Sequence, residues 1–207
     1  PVMFDAITSS EDKNFYTHGG VDLGGTISAL LGNASSGSSR GGSSITQQYV
    51  KNVLQQNCES KANGTEEVEA CFTATTVNSG SEGYQRKLQE MRYAIQLEKR
   101  YSKDDILLGY LNITNFGGTV YGIGAAAEHY FSTTAANLTI AQAATIAGMV
   151  QAPNTYRIDE PEGTTQDDAG NDVNSAADGY KLTLDRRNYV LGRMLDLNDT
   201  QSGVLNL

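Results

Sequence analysis

The sequence lacks several features that define large protein classes. It has 3 Pro and 2 Cys in 207 residues, and no apolar run approaches the roughly 20 residues that a membrane-spanning helix needs. It has neither the glycine period of collagen nor a dense cysteine framework. Collagen, coiled coil, integral membrane protein and disulfide knot are therefore excluded for these residues. The contents of 39% hydrophobic and 19% charged residues are typical of a globular domain.

An excess of positive charge is also absent. The formal net charge is −9, which argues against a nucleic-acid binder. The acidity is concentrated in segments 55–83 and 159–179, which together hold 12 acidic residues and one lysine. The rest of the chain has 12 acidic and 14 basic residues, so its composition is compatible with an anionic ligand.

The two cysteines lie 13 residues apart in one polar segment. No histidine is near Cys58 or Cys71 and no C-x-x-C is present, which disfavours a zinc or redox site. The spacing favours a disulfide that closes a surface loop, in an oxidising, extracytoplasmic setting. The alternative is two unrelated free thiols.

Apolar spacing predicts helices and no convincing strand. Over 84–101, Leu88, Met91 and Ile95 form one apolar stripe, and Ser102 to Asp105 has the form of a capping box that begins the next helix. Serine and glycine predict a loop at 35–44. The acidic segments 55–83 and 159–179 are predicted to be irregular insertions.

Two more helices are predicted near the C-terminal end. Residues 138–150 are apolar nearly all round, which predicts a buried central helix capped by Asn137. Residues 186–195 predict a short amphipathic helix with Tyr189, Val190 and Met194 facing inward. We therefore expect a mainly α domain.

The densest polar cluster runs from Glu11 to His18. A helix would bring Glu11, Phe15 and His18 to one face. The simplest interpretation is a helix end with a solvated acid and a hydrogen-bonded histidine. Ser10 to Lys13 also matches the S-x-x-K of penicillin-reactive enzymes, but no S-D-N or K-T-G follows.

Two further clusters carry cations. A glycine-serine loop runs into a helix at Gly41 to Asn52, and such a helix start is a natural anion site, with Lys51 one turn beyond Gln47. Arg86, Lys87 and Glu90 are either an ordinary surface charge group or a carboxylate among cations that helps to hold a metal–phosphate group. Two acids, several cations and a glycine loop are the groups that sugar transfer from a phosphate-linked donor requires.

These clusters belong to five motifs that occur in the order known from one family. The chain resembles the bacterial peptidoglycan glycosyltransferases of family 51, the transglycosylase module of class A penicillin-binding proteins. The match runs from about Ala6 to Met194, with Ser44 in place of a usual threonine. The motifs are E-D-x-x-F-x-x-H-x-G-x-D from Glu11, the glycine loop to Asn52, R-K-x-x-E from Arg86 to Glu98, residues 110–131, and residues 138–156.

The resemblance implies a mainly α fold, with a lysozyme-like lobe and a smaller membrane-facing jaw lobe. It implies one glycosyltransferase domain over 1–207. An N-terminal membrane anchor and, in a bifunctional parent, a C-terminal transpeptidase domain are expected outside this chain. The implied localisation is the outer face of the bacterial cytoplasmic membrane.

The resemblance also implies a reaction, the polymerisation of lipid II into β-1,4 glycan. Glu11 would be the general base, and Glu90 would position the pyrophosphate of the donor through a divalent cation, Mg²⁺ or Mn²⁺, or through its basic neighbours. No organic cofactor is expected. Substrate-binding roles carry over to residues of the first three motifs: Asp12, Phe15, His18, Ser43, Thr46, Gln47, Gln48, Lys51, Asn52, Arg86 and Lys87.

The expected partners are lipid II, the lipid-linked glycan chain, the membrane surface, and cell-division or elongation proteins, with no nucleic acid. Moenomycin, the phosphoglycolipid inhibitor of the family, would occupy the same groove. Two alternatives stay open: a lysozyme-like glycan hydrolase, and a non-catalytic module that binds lipid II or a divisome protein.

Overall fold

The computed structural model describes residues 1–22, 42–77 and 79–200, and the side chains only as far as 197. Most of the predicted loop at 35–44, including Gly41, lies outside the described residues. Within them the secondary structure is helical, apart from two isolated β-bridges. The helices are α1 (Val2–Glu11), α2 (Ile45–Glu59), α3 (Thr65–Thr76), α4 (Gly80–Glu98), α5 (Lys103–Ile113), α6 (Ile123–Phe131), α7 (Ile140–Met149) and α8 (Ala176–Thr200).

The prediction of a mainly α fold is confirmed. In the part of the chain that the structure covers, no helix combines the length and the apolar character that crossing a bilayer takes. The chain divides into two compact units, residues 1–13 with 111–207, and residues 14–110. The membrane-facing placement of one lobe stays a prediction.

The first unit packs α1, α7 and α8 against one another. Helix α7 is buried from Ala143 to Met149, as its apolar composition predicts, whereas its first two residues are exposed. Its cap is Thr139 rather than the predicted Asn137, since the Thr139 side chain accepts a hydrogen bond from the Gln142 N–H. Asn137 ends a preceding 3₁₀ turn. The cap prediction was wrong by two residues because that turn separates Asn137 from the helix.

Helix α8 is much longer than the predicted helix at 186–195. Val190 and Met194 are buried as predicted, but Tyr189 is 49% exposed. Its inward orientation was therefore a wrong prediction. Tyr189 instead lies against the Arg186 guanidinium, whose carbon is 4.8 Å from the ring centroid.

The second unit packs α2 against both α3 and α4. Its helix α5 begins at the predicted capping box, because the Asp105 N–H bonds the Ser102 hydroxyl at 3.2 Å and the Asp105 carboxylate accepts from the Ser102 N–H at 3.3 Å. The segment 55–83 is not irregular as predicted. It contains the end of α2 and the whole of α3, and its status as an insertion stays a prediction.

Helix α4 does not bury the predicted apolar stripe. Leu88 is 60% exposed and Ile95 is 38% exposed, whereas the buried residues of this helix are Gly83, Glu90 and Ala94. The side of α4 that packs inward thus carries small residues and one carboxylate. The spacing of apolar residues predicted the wrong buried face of α4, because this pattern assigns every glutamate to the surface, including one that is buried and paired.

Segment 159–179 forms polar turns that lead into α8. Its centre is a turn in which the Asp167 carboxylate accepts hydrogen bonds from the N–H groups of Ala169 and Asn171, both at 2.9 Å. Nowhere in 1–22, 42–77 or 79–200 do three or more acidic, histidine or cysteine side chains group as a metal site would require. Residues 159–175 are thus polar turns, and residues 176–179 begin α8.

In the second unit, the backbone of Gly20 lies very close to the backbone of helix α4. Its φ is +94°, and a Cβ there would lie 2.8 Å from the carbonyl carbon and oxygen of Ala94 on α4. Its own carbonyl accepts a 2.6 Å hydrogen bond from the Ser44 hydroxyl. Gly20 thus connects the first motif to the second and third.

We expect Gly20→Ala to lower the free energy of unfolding by about 3 kcal/mol, since both the left-handed backbone and the contact with Ala94 penalise a Cβ. Urea unfolding of the purified chain measures the change. Gly19→Ala is the matched control, because a Cβ at Gly19 meets nothing within 4 Å. Equal stabilities of the two variants would contradict the prediction.

Candidate active site

A cavity of about 350 Å³ in the second unit collects residues from the second and third motifs. Helices α2 and α4 supply most of its wall, and the end of α3 completes it. Among the described residues that line it, Lys51, Arg86 and Lys87 are cationic and Glu90 is acidic. The others are Ser43, Gln47, Gln48, Thr75, Thr76, Gly83 and Tyr84. The excess of positive charge suits an anionic ligand.

The start of α2 is fixed by a capping box. The Ser44 hydroxyl accepts a hydrogen bond from the Gln47 N–H at 3.2 Å, and the Gln47 side-chain oxygen accepts one from the Ser44 N–H at 2.9 Å. Gln47 is only 1% exposed, so this box holds its side chain in place at the cavity. Gln48 is held as well, because its side-chain oxygen accepts from the Tyr110 hydroxyl at 2.9 Å.

Glu90 is the centre of the charged group. It is 2% exposed, and its carboxylate accepts hydrogen bonds from Arg86 one turn earlier and from Lys87, whose Nζ is 3.2 Å away. Lys87 also donates to the Ser43 hydroxyl, which joins the glycine loop to α4. Loss of the buried carboxylate would therefore leave two neighbouring cations without their shared partner, which is strongly destabilising.

Lys51 adds a third cation to the same cavity. Burial lowers the pKa of Lys51 below its ordinary value, the nearby Glu90 carboxylate acts in the opposite direction, and Arg86 and Lys87 lower it further. At a pH between this lowered pKa and the ordinary value, folding therefore releases a proton from this lysine. Its unfavourable contribution to stability is present at neutral pH and is relieved as the pH rises through its lowered pKa.

We expect the affinity for inorganic pyrophosphate to fall as the pH rises through the lowered pKa of Lys51, because the lysine then loses its charge. Titration calorimetry at a series of alkaline pH values measures this. Lys51→Arg is the control, since arginine stays charged and should move the fall to higher pH. If both proteins lose affinity at the same pH, another group is responsible.

A second polar network in the same unit connects the first three motifs. Glu98 on α4 accepts a hydrogen bond from Thr46 at 2.6 Å and pairs with Lys103 at 2.7 Å, and the His18 ring is 3.9 Å away. The Lys103 ammonium lies 4.6 Å from the centroid of the Phe15 ring. Phe15 and Thr46 are fully buried. These positions make Phe15, His18 and Thr46 supports of the fold near the cavity, and their predicted substrate contacts stay predictions.

Glu11 is the last residue of α1, in the first unit, and its side chain is 13% exposed. Its carboxylate pairs with Arg186 of α8 at 3.2 Å. Arg186 also donates to the Gly148 carbonyl at 3.3 Å. The arginine limits the rotation of the Glu11 carboxylate and so keeps it in one orientation, as a general base requires.

Sequence reasoning missed Arg186, which it used only as the start of a predicted helix. The two partners are 175 residues apart, so no spacing rule connects them. Of the other predicted binding residues, Asp12 belongs to the first unit, and Asn52 is not among the described residues that line the cavity. Asp12 is buried at the end of α1, where its N–H bonds the Thr8 carbonyl, and Asn52 is half-buried on α2.

Arg186→Met should lower kcat about 10- to 100-fold in a reaction for which Glu11 is the general base, while KM changes little, because it frees the Glu11 side chain to rotate. Thermal unfolding checks that the fold survives. Arg187→Met is the control, since the Arg187 guanidinium bonds the side-chain oxygen of Asn188 next to it. Equal kcat values for the two variants would remove Arg186 from the proposed role.

Comparison with known proteins identifies the family. The model of the family described as Transglycosylase matches residues 1–195. Penicillin-binding protein 1A/1B of Bacillus subtilis is 41% identical over 75% of this chain and 15% of its own length. Penicillin-binding protein 1A of Mycobacterium tuberculosis is 36% identical over 72% of this chain and 16% of its own length.

A shorter relative is the monofunctional glycosyltransferase of Staphylococcus aureus, which is 39% identical over 74% of this chain and 51% of its own length. The chain thus spans about half, or less, of the length of these curated relatives. The resemblance that the five motifs indicated is confirmed. The match over residues 1–195 and the identities to penicillin-binding proteins and a glycosyltransferase establish that this chain belongs to the transglycosylase family.

Proposed function

We propose that this chain is a peptidoglycan glycosyltransferase that polymerises lipid II into β-1,4-linked glycan strands. The observation that carries the proposal is the cavity in which Lys51, Arg86 and Lys87 surround Glu90. Cations in this number suit a pyrophosphate leaving group. The family match supports the assignment, because it covers every residue to which we give a role.

The proposed step transfers one sugar with inversion. The carboxylate of Glu11 takes the proton of the 4-hydroxyl of the GlcNAc in the incoming lipid II. The hydroxyl oxygen attacks the anomeric carbon of the MurNAc at the end of the lipid-linked glycan. The bond from that carbon to the pyrophosphate oxygen breaks, and its electron pair leaves with undecaprenyl pyrophosphate.

The cavity would receive the charge of the leaving group. Lys51, Arg86 and Lys87 bind its phosphate oxygens, and the side chains of Ser43, Gln47 and Gln48 line the same wall. Preorganised cations lower the barrier because they are already in place when the negative charge develops. Truncation of any of the three cations should therefore weaken the binding of pyrophosphate.

A divalent cation fits this cavity only together with the substrate. Among the described residues that line it, Glu90 is the one carboxylate, and it already has two cationic partners. Mg²⁺ commonly binds one or two carboxylates together with substrate phosphates. Glu90 would hold Mg²⁺ or Mn²⁺ with the pyrophosphate oxygens, and the metal would neutralise part of their charge.

The remaining assignments follow from this substrate. Both lipid II and the growing glycan carry a prenyl chain, so the enzyme would work at the outer face of the cytoplasmic membrane, where the disulfide also fits an oxidising setting. Moenomycin would compete for the same cavity, since it also carries a phosphate. Cell-division or elongation proteins would be the protein partners.

A lysozyme-like hydrolase is the second candidate enzyme. Glycan cleavage by water needs a protonated carboxylic acid to assist an alkoxide leaving group. The Glu90 carboxylate instead accepts hydrogen bonds from Arg86 and Lys87, and together with Lys51 the described lining has three cations to one acid. The charges of the cavity thus favour a phosphate leaving group over an alkoxide.

The test is a gel-resolved polymerisation assay with labelled lipid II, detergent and Mg²⁺ or Mn²⁺. Long glycan ladders that moenomycin abolishes would support the polymerase. Soluble fragments from isolated cell-wall sacculi, with no ladders from lipid II, would support the hydrolase. Binding of lipid II without turnover in either assay would support the non-catalytic module.

A further inference from the structure

Helix α3 is attached to the rest of its unit by few buried groups. Of its twelve residues only Cys71 is buried. Its larger apolar side chains are exposed, Val68 to 40% and Phe72 to 54%. Burial of apolar surface, which holds most helices of a domain in place, therefore contributes little to the position of α3.

The disulfide supplies the attachment that apolar burial does not. It joins Cys71 to Cys58 in the last turn of α2, with the two Cα atoms 5.7 Å apart. This is the pairing that the sequence favoured over two free thiols. A long hydrogen bond, 3.4 Å from the Thr75 hydroxyl to the side-chain oxygen of Gln55, also connects α3 to α2.

The C-terminal end of α3 reaches the cavity. Thr75 and Thr76 line it, and the next residue, Val77, accepts a 2.8 Å hydrogen bond on its carbonyl from Nε of Arg86. Arg86 also donates through Nη1 to Glu90. The guanidinium is thus held from two sides, by the end of α3 and by α4, and two anchors on a planar group fix its orientation.

We propose that the Cys58–Cys71 disulfide positions the anion-binding arginine, because it holds α3 where the carbonyl of Val77 orients the Arg86 guanidinium. Val77 is a positioning residue that acts through its backbone. The inference rests on the proposed function only in taking the anion to be the pyrophosphate of the donor. It predicts that opening the disulfide weakens anion binding through Arg86, and leaves the proton transfer at Glu11 unaffected.

The test uses inorganic pyrophosphate as the probe, with titration calorimetry on the full chain. We expect Cys58→Ser/Cys71→Ser to raise the Kd for pyrophosphate about tenfold, the effect of losing one well-oriented hydrogen bond to a charged group. Arg86→Met should weaken binding at least as much. In the Arg86→Met background the two serine substitutions should add no further loss, because the group through which α3 acts is gone.

Two outcomes would overturn the inference: an unchanged Kd in a folded double-serine protein, or a full additional loss in the Arg86→Met background. If the double-serine chain does not fold, the measurement is made on folded wild type before and after dithiothreitol. Cys58 is exposed, so the reagent can reach the bond. Wild type treated in this way should show the same tenfold rise, and an unchanged Kd after verified reduction would again overturn the inference.

The polymerisation assay separates this inference from the proposed function. A chain that binds pyrophosphate in a disulfide-dependent manner but makes no glycan would refute the polymerase and retain the inference. A wild-type chain that makes glycan with the same KM whether oxidised or reduced would retain the polymerase and refute the inference. If the proposed function and the inference are both correct, reduction of the disulfide raises the KM for lipid II more than it lowers kcat.

Discussion

Glu11→Gln should abolish the polymerisation of lipid II, with a loss of kcat of about 10³-fold or more, and leave the fold intact. A glutamine has the shape of the glutamate but cannot accept the proton of the attacking hydroxyl, and a general base contributes about 10²- to 10⁴-fold. The amide oxygen can still accept the hydrogen bond that Arg186 makes with Glu11 at 3.2 Å. The polymerisation gel measures the activity, and thermal unfolding checks the fold.

Asp5→Asn is the matched control for this variant. Asp5 is a second carboxylate on α1, half-buried, and burial raises the pKa of its carboxyl group. Since burial penalises the charge of this carboxylate, the uncharged amide should be tolerated and polymerisation should continue. Substantial residual activity in Glu11→Gln would exclude Glu11 as the base.

Glu90→Gln should lower kcat/KM about 100-fold or more, and should also change how activity depends on pH and on divalent cations. The substitution removes the negative charge that Arg86 and Lys87 surround, so the cations repel one another and lose their alignment. Glu90 also raises the pKa of Lys51, so its loss lowers that pKa further. The alkaline fall in activity should therefore move to lower pH.

Rates of the wild type and of Glu90→Gln across alkaline pH, each with titrated Mg²⁺ or Mn²⁺, measure both effects. Glu82→Gln is the control, because Glu82 is an exposed acid in the first turn of the same helix. An unchanged metal dependence would argue against Glu90 as a metal ligand. If the fall in activity at alkaline pH occurs at the same pH in both proteins, Glu90 has no electrostatic effect on Lys51.

The local parts of the site could be predicted from the sequence. Arg86 and Glu90 are one turn apart, so the helical period alone predicts their pairing. Lys51 and Gln47 share one side of α2 for the same reason, and both line the cavity. The capping box of Ser102 and Asp105 could also be predicted, since a capping motif depends on two residues that are three positions apart.

The parts that depend on distant residues could not be predicted. The pair of Glu11 and Arg186 has no local signature, because only the packing of α1 against α8 brings the two together. The buried face of α4 was misjudged because it carries the paired Glu90 and, where Gly20 packs closely on Ala94, small residues instead of large apolar ones. Hydrophobicity predicts burial well only where large side chains fill the space between elements.

Helix α3 was missed for a different reason. Its sequence has no continuous apolar stripe, and the structure accordingly buries only one of its residues. A short helix of this kind is marginal in isolation, since nucleation is costly and packing supplies most helical stability in proteins. In α3 the disulfide of Cys71 attaches the helix to α2, a role that buried apolar side chains have in most helices.

The single buried residue of α3 also determines how the protein should be produced. In a reducing bacterial cytosol Cys58 and Cys71 would remain thiols, and a preparation made there would carry the α3 segment without its covalent attachment. Periplasmic export, or oxidative refolding followed by a thiol count, would give the cross-linked form. An inactive preparation should therefore be titrated for free thiols before its inactivity is attributed to the catalytic residues.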